Sequence, residues 1–143
     1  MSAPLLEIRD LSISFGRVEV VDRLSLSIGR GESLGLVGES GCGKSVTSLA
    51  VMGLLPARGC AVRGGIRLDG QELTTLSREE WRHVRGGRVA MVFQDPMTAL
   101  DPLMTVGGHL AEVLSLHRGL SGAALRAEAA SWLERVGIPD PGA

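Results

Sequence analysis

Residues Gly38-Glu39-Ser40-Gly41-Cys42-Gly43-Lys44-Ser45 follow the spacing G-x-x-x-x-G-K-[ST] without deviation. These residue types in this order suit the capture of a polyphosphate. Glycines at 38, 41 and 43 let the chain close tightly round an anion, so that several main-chain N–H groups point inward together. The loop must then run into the start of a helix, whose unpaired N–H groups and dipole favour negative charge. Lys44 would reach the β- and γ-phosphates as a point charge, and the Ser45 hydroxyl would ligate Mg²⁺. The chain has fourteen arginines and a single lysine, and that lysine stands at the position where the motif requires one. By accident the motif would arise in roughly two of a thousand chains of this composition. A planar guanidinium does not replace the compact ammonium here. Cys42 occupies a variable position of the loop. It reads as a small residue tolerated beside the phosphates, with a reactive thiol as the alternative; Cys60 reads as a small loop residue.

The flanking elements have the order such a loop needs. Leu11, Ile13 and Phe15 alternate with polar residues, as do Leu24, Leu26 and Ile28, which predicts two half-buried antiparallel strands joined at Gly16-Arg17. After a turn at Arg30-Gly31-Glu32, the apolar run Leu34–Val37 is expected to be a strand covered on both faces that delivers the glycine loop. A helix is expected from Lys44 to about Leu55, stopped by Pro56. Val62–Leu68 reads as a strand with a turn at Asp69-Gly70, and Ser77-Arg78-Glu79-Glu80 as a capping box opening a short helix. Val89–Phe93 is a second continuous apolar run and an expected strand, followed by a loop over Gln94–Pro102. Two helices follow, near Thr105–Leu116 and Ser121–Val136, the second ended by Gly137 and Pro139. The fold class is therefore α/β, with a nucleotide-binding core over residues 1–96 and the start of a helical subdomain over 97–143.

The length of 143 residues fits one domain, and 44% apolar residues allow a real core. A net charge of −1 gives no basic footprint for nucleic acid. Two cysteines make neither a disulfide framework nor a zinc spacing. A reducing cytosol is the simplest home for them. No apolar run approaches a bilayer span, and the N-terminus lacks a signal-peptide pattern, so membrane association is expected through a partner. His83, His109 and His117 have no metal-ligand spacing.

The loop does not separate the classes of phosphate-loop protein, but its surroundings do. Leu24–Ser45 resembles the ATP-binding cassette (ABC) family, in which two strands and a Gly-Glu turn lead into the phosphate loop. Val89-Ala-Met-Val-Phe-Gln-Asp-Pro is similar to that family's Q-loop segment. Three further stretches resemble the cassette subunits of dipeptide, oligopeptide and nickel importers: Gly38-Glu-Ser-Gly, Phe93–Gly107 and Val136-Gly-Ile-Pro-Asp-Pro. Asp101 stands where that subfamily has Asn. The resemblance covers nearly the whole chain and implies ATP and Mg²⁺ as cofactors. It implies nucleotide contacts at Phe15, Gly38, Glu39, Ser40, Gly41, Cys42, Gly43, Lys44, Ser45 and Val46. Lys44 and Gln94 take the catalytic places, with Ser45 and Gln94 at Mg²⁺. Phe15 would stack on adenine, its alternative being a strand residue of the core. Gln94 would contact Mg²⁺ and the attacking water, its alternative being a polar strand end. The implied partners are transmembrane permease subunits, a second cassette (identical or not) and, indirectly, a substrate-binding protein, at the cytoplasmic face of the inner membrane.

Three parts of that family's pattern are not found in residues 1–143. Leu120-Ser-Gly-Ala imitates the signature Leu-Ser-Gly-Gly but lacks its second glycine, and Ser121 reads as a helix N-cap. No apolar run ends in Asp-Glu, and there is no switch histidine. The chain is therefore expected to be the front portion of a cassette, with negligible hydrolysis and marginal stability by itself. The competing readings are a non-catalytic nucleotide-binding remnant of a cassette and another phosphate-loop enzyme, a kinase or GTPase. A guanine-reading Asn-Lys-x-Asp is excluded, because the single lysine is already used.

Overall fold

A computed structural model describes residues 3–95 and 100–139. The chain divides into two compact units, Met1–Met91 and Val92–Ala143. The boundary expected between residues 96 and 97 lies outside the described residues, as do part of the Phe93–Gly107 run and the end of Val136–Pro141.

The first unit is built on an antiparallel sheet of order β2-β1-β3-β4, formed by β1 (Leu6–Phe15), β2 (Val18–Ile28), β3 (Cys60–Leu68) and β4 (Gln71–Glu72). The alternating apolar residues of β1 and β2 do pair, Phe15 with Val18 and Ile8 with Leu26. Simple alternation does not explain the core, however, because Ile8 and Leu11 are both buried although three positions apart. A bulge reconciles them. The register with β3 shifts between Arg9–Gly65 and Ser12–Arg63, leaving Asp10 and Leu11 opposite Gly64. Asp10 takes φ 45° and Gly64 φ 90° there. The extra residue restores Leu11 and Ile13 to the inner face.

Two helices cover that face. α1 spans Lys44–Val51 and α2 spans Arg78–Val84. Ala50 of α1 and Trp81 and Val84 of α2 join Ile8, Leu11, Ile13 and Ile66 in one core cluster. The capping box opens α2 as expected: Ser77 N–H donates to Glu80 Oε2 at 2.7 Å and Glu80 N–H to Ser77 Oγ at 3.3 Å. α1 ends earlier than Pro56. Gly53, at φ 61°, is its left-handed stop. Leu54 N–H donates to Leu49 O and Gly53 N–H to Ala50 O, the paired bonds of a Schellman ending.

Two sequence expectations need correction. Neither Leu34–Val37 nor Val89–Phe93 is a strand. Val37 and Val92 are 93% and 98% exposed, and Val89 makes only an isolated bridge to Arg85. A strand is a pairing relation, and among the described residues neither run has a ladder to join. The composition of a covered strand does not provide its covering.

The β3–β4 hairpin is closed by Glu72. Its carboxylate accepts from Ile66 N–H at 3.0 Å, the Thr74 hydroxyl at 2.7 Å and Arg67 Nε at 3.2 Å. Burial pushes this carboxyl up, but the Thr74, Ile66 and Arg67 bonds together outweigh it and hold it below its ordinary value of 4.5. The unfolded chain therefore binds the proton more readily. The stabilisation is complete above pH 4.5 and is lost as pH falls through the lower folded value. We expect Glu72→Gln to lower the melting temperature at pH 7, with the gap from wild type closing as the pH drops below 4.5. A gap that stays constant across a pH series of thermal melts would contradict this.

In the second unit, α3 (Val106–Arg118) and α4 (Gly122–Arg135) pack on each other, with Leu114 and Ala129 buried. Thr105 Oγ1 caps α3 by accepting from Gly108 N–H at 3.0 Å. Ser121 sits at the N-cap of α4 as expected, but its side chain makes no capping bond. Glu128 of α4 accepts from Arg118 at 2.6 Å and from Trp132 Nε1 at 2.9 Å, fixing one helix to the other. No described helix is long and apolar enough to cross a membrane.

Candidate nucleotide-phosphate site

The segment Gly38–Ser45 forms a loop running into α1. Its curvature rests on left-handed glycines, Gly41 at φ 87° and Gly43 at φ 88°. Gly43 is also sterically fixed, because a Cβ there would lie 2.7 Å from Val20 O and 2.9 Å from Val21 Cγ2. The loop is thus seated directly on the backbone of β2. At Gly38 a Cβ would meet Cys42 Sγ at 2.6 Å. Cys42 is therefore more than a bystander at a variable position, since its sulfur occupies the inside of the turn.

The start of α1 has the open donors that an anion requires. Thr47 N–H is bonded to Gly43 O at 2.9 Å, the first bond of the helix, while the N–H groups of Lys44, Ser45 and Val46 have no helical carbonyl four residues back to donate to. No side chain caps this end and no acidic residue lies in the first turn. Thr47, which the sequence reading passed over, is 5% exposed, and its hydroxyl donates to the same Gly43 carbonyl at 2.9 Å. It holds the last loop residue onto the helix. The signal available for it was a threonine four residues after the final glycine, on the core side of the helix.

Lys44 Nζ donates to Gly38 O at 2.7 Å and Glu39 O at 2.6 Å and lies 3.3 Å from Cys42 Sγ. The ammonium thus bridges the two ends of the loop through the loop's own carbonyls. Phosphate oxygens offer the same charge-assisted bonds with a full negative charge. Beside the loop lies a hollow of about 230 Å³, lined among others by Val20, Val21, Leu36, Cys42 and Lys44. Its lining also includes Asp22 and Leu24 but neither Ser45 nor Val46, so it flanks the loop on the side of β2. The fit to a polyphosphate rests on the uncapped start of α1 and the Lys44 ammonium. The Ser45 side chain is exposed and makes no hydrogen bond to a described residue. Among the described residues, no three His, Cys, Asp or Glu side chains gather as a metal site.

The structure brings Gly38–Ser45, Val46 and the Val20–Val21 seat together. Phe15 closes β1, paired with Val18 and Cys60, half-buried and packed against the core cluster. Gln94 belongs to the second unit, where it is exposed in a bend.

The ABC transporter family model matches residues 21–142. The chain is 47% identical over 143 residues to the dipeptide transport ATP-binding protein DppD of Bacillus subtilis (strain 168), an overlap covering 96% of this chain and 43% of that protein. It is 45% identical over 141 residues to the dipeptide transport ATP-binding protein DppD of Escherichia coli (strain K12), covering 96% and 43%. With the oligopeptide transport ATP-binding protein OppD of Bacillus subtilis (strain 168) the identity is 46% over 142 residues, covering 96% and 40%. The chain thus spans less than half the length of these relatives.

Proposed function

The chain belongs to the ABC transporter family, and from that membership we propose that it is the N-terminal, ATP-binding part of an importer subunit that couples ATP binding and hydrolysis to the uptake of peptides or nickel. The observation that carries this reading is the open fan of N–H donors at the start of α1, closed by the Lys44 ammonium. Mg²⁺, when bound, neutralises phosphate charge; Ser45 and Gln94 are its proposed protein ligands. Gln94 is also the proposed contact to the attacking water. In this reading the partners are permease subunits and a second cassette, with a substrate-binding protein acting indirectly, at the cytoplasmic face of the inner membrane. Residues 1–96 serve as the nucleotide-binding core and 97–143 as the beginning of the helical subdomain.

Phe15 is the proposed adenine platform. Aromatic stacking contributes about 0.5–1.5 kcal/mol, so Phe15→Ala should weaken ATP about two- to tenfold. Tripolyphosphate, which has no base, should compete as well as before. A core role alone would instead lower the melting temperature and leave the ratio of the two ligands unchanged. Calorimetric titration with ATP and Mg²⁺, with tripolyphosphate as competitor, separates the two. Bound ATP should remain intact on residues 1–143 by themselves, since they contain no apolar run ending in Asp-Glu. Absence of any ATP binding by folded wild-type chain would overturn the proposal.

A further inference from the structure

Arg85 lies in none of the motifs, yet it joins three pieces of the first unit. Its Nε donates to Met52 O at 2.8 Å and its Nη2 to Gly53 O at 2.6 Å. These carbonyls lie just past the end of α1, beyond those used by the Schellman bonds. The guanidinium also lies 4.6 Å from the centroid of the Trp81 ring. That ring is so close to α1 that a Cβ on Gly53 would stand 2.4 Å from it. Through its main chain, Arg85 donates to Trp81 O at 2.9 Å and bridges to Val89, whose carbonyl accepts from Gly86 N–H at 2.9 Å. One residue thus fixes the end of α1 to the end of α2 and to the turn that follows.

α1 has eight residues, about 12 Å of helix. Arg85 therefore acts at the opposite end from the phosphate cradle and cannot touch a ligand there. A helix this short moves as a rod. Gly43, having no Cβ, lets its N-terminus pack close against Val20 O, and Arg85 holds its C-terminus. A positive charge at that end also complements the helix dipole. Freed at the C-terminal end, the rod can tilt, and the N–H groups of Lys44, Ser45 and Val46 would fan away from a common focus.

We propose that Arg85 is a positioning residue for polyphosphate binding, holding α1 at the angle that keeps its N-terminal donors convergent. This rests on the nucleotide-binding reading above. The test compares ATP with AMP, which lacks the β- and γ-phosphates, by ligand-observed NMR well below the melting temperature. In Arg85→Ala, ATP should weaken about tenfold, the loss of one good charge-assisted bond, while AMP changes less than about twofold. Arg85→Lys, which keeps the charge but lacks the planar fork that meets both carbonyls and the Trp81 ring, should recover part of the ATP affinity. A merely structural role would lower the melting temperature and leave the ATP-to-AMP ratio at the wild-type value. That result, or an equal loss for both ligands, overturns the proposal. If Arg85→Ala does not fold, the ratio in Arg85→Lys decides by the same criterion. Wild-type chain that binds ATP no better than AMP overturns the nucleotide reading itself. Wild-type preference for ATP that Lys44→Ala removes and Arg85→Ala spares overturns only the role of Arg85.

Discussion

Lys44→Ala should lower the affinity for ATP about ten- to a hundredfold and leave the chain folded. The size follows from the bonds at stake. A hydrogen bond to a charged group contributes about 1.5–3 kcal/mol, and every 1.4 kcal/mol is tenfold in affinity. The variant stays folded because the carbonyls that Lys44 holds, those of Gly38 and Glu39, belong to exposed residues. Water takes them when the ammonium is removed, so no buried acceptor is orphaned. In the free protein the ammonium is occupied by its own loop, and binding exchanges two neutral acceptors for phosphate oxygens. Lys44→Arg should not restore affinity, because a flat fork does not fit between Gly38, Glu39 and the thiol of Cys42. The measurement is ATP titration beside thermal denaturation of each variant. A folded Lys44→Ala chain that binds ATP within twofold of wild type would remove the ammonium from the proposed site.

Gly64→Ala should produce the largest loss of stability among single-methyl substitutions in the sheet. A Cβ at Gly64 would stand 2.4 Å from Asp10 O and 2.5 Å from Arg9 O, and both are backbone atoms that no side-chain rotation can move. The residue also has φ 90°, which L side chains rarely adopt. Left-handed strain of about 1–2 kcal/mol adds to overpacking of about 1–3 kcal/mol, so the expected cost is about 2–5 kcal/mol. A domain of this size has only about 5–15 kcal/mol in all. Gly16→Ala is the control, since Gly16 has φ 59° but no atom within 4 Å of its Cβ position. It should cost about 1 kcal/mol. The consequence reaches the site. Without the bulge opposite Gly64, β1 loses the extra residue that returns Leu11 and Ile13 to the core, and the sheet carrying Val20 and Val21 loses its register. Urea unfolding of the two variants tests this. Equal midpoints for Gly64→Ala and Gly16→Ala would show that the bulge is not a point of strain.

The site was legible in the sequence wherever its logic is local. Gly38–Ser45 is read from eight consecutive residues because the hydrogen bonds inside it, down to Lys44 Nζ on Gly38 O, span at most six positions. The Ser77–Glu80 box and the Gly16-Arg17 turn were legible for the same reason. The seat of the loop was not. Val20 O lies against Gly43 only because β2 folds back beneath α1. Thr47 carries no motif of its own, and only the fold buries its hydroxyl on the Gly43 carbonyl. Arg85 carried no signal at all, since its acceptors, Met52 and Gly53, are distant in sequence.

The sequence by itself determined the glycine loop Gly38–Ser45 with its lysine, and the family to which the chain belongs. It determined the Ser77–Glu80 capping box and the antiparallel hairpin as well. These follow from backbone preferences and short-range bonds that residue identity dictates. Only the tertiary structure decided that Leu34–Val37 and Val89–Phe93 are not strands here, that a bulge opposite Gly64 sets which residues of β1 face the core, and that α1 is held at both ends. Pairing, register and the docking of a helix depend on which distant backbone comes alongside. A run of residue types states a preference for such a neighbour but cannot supply one.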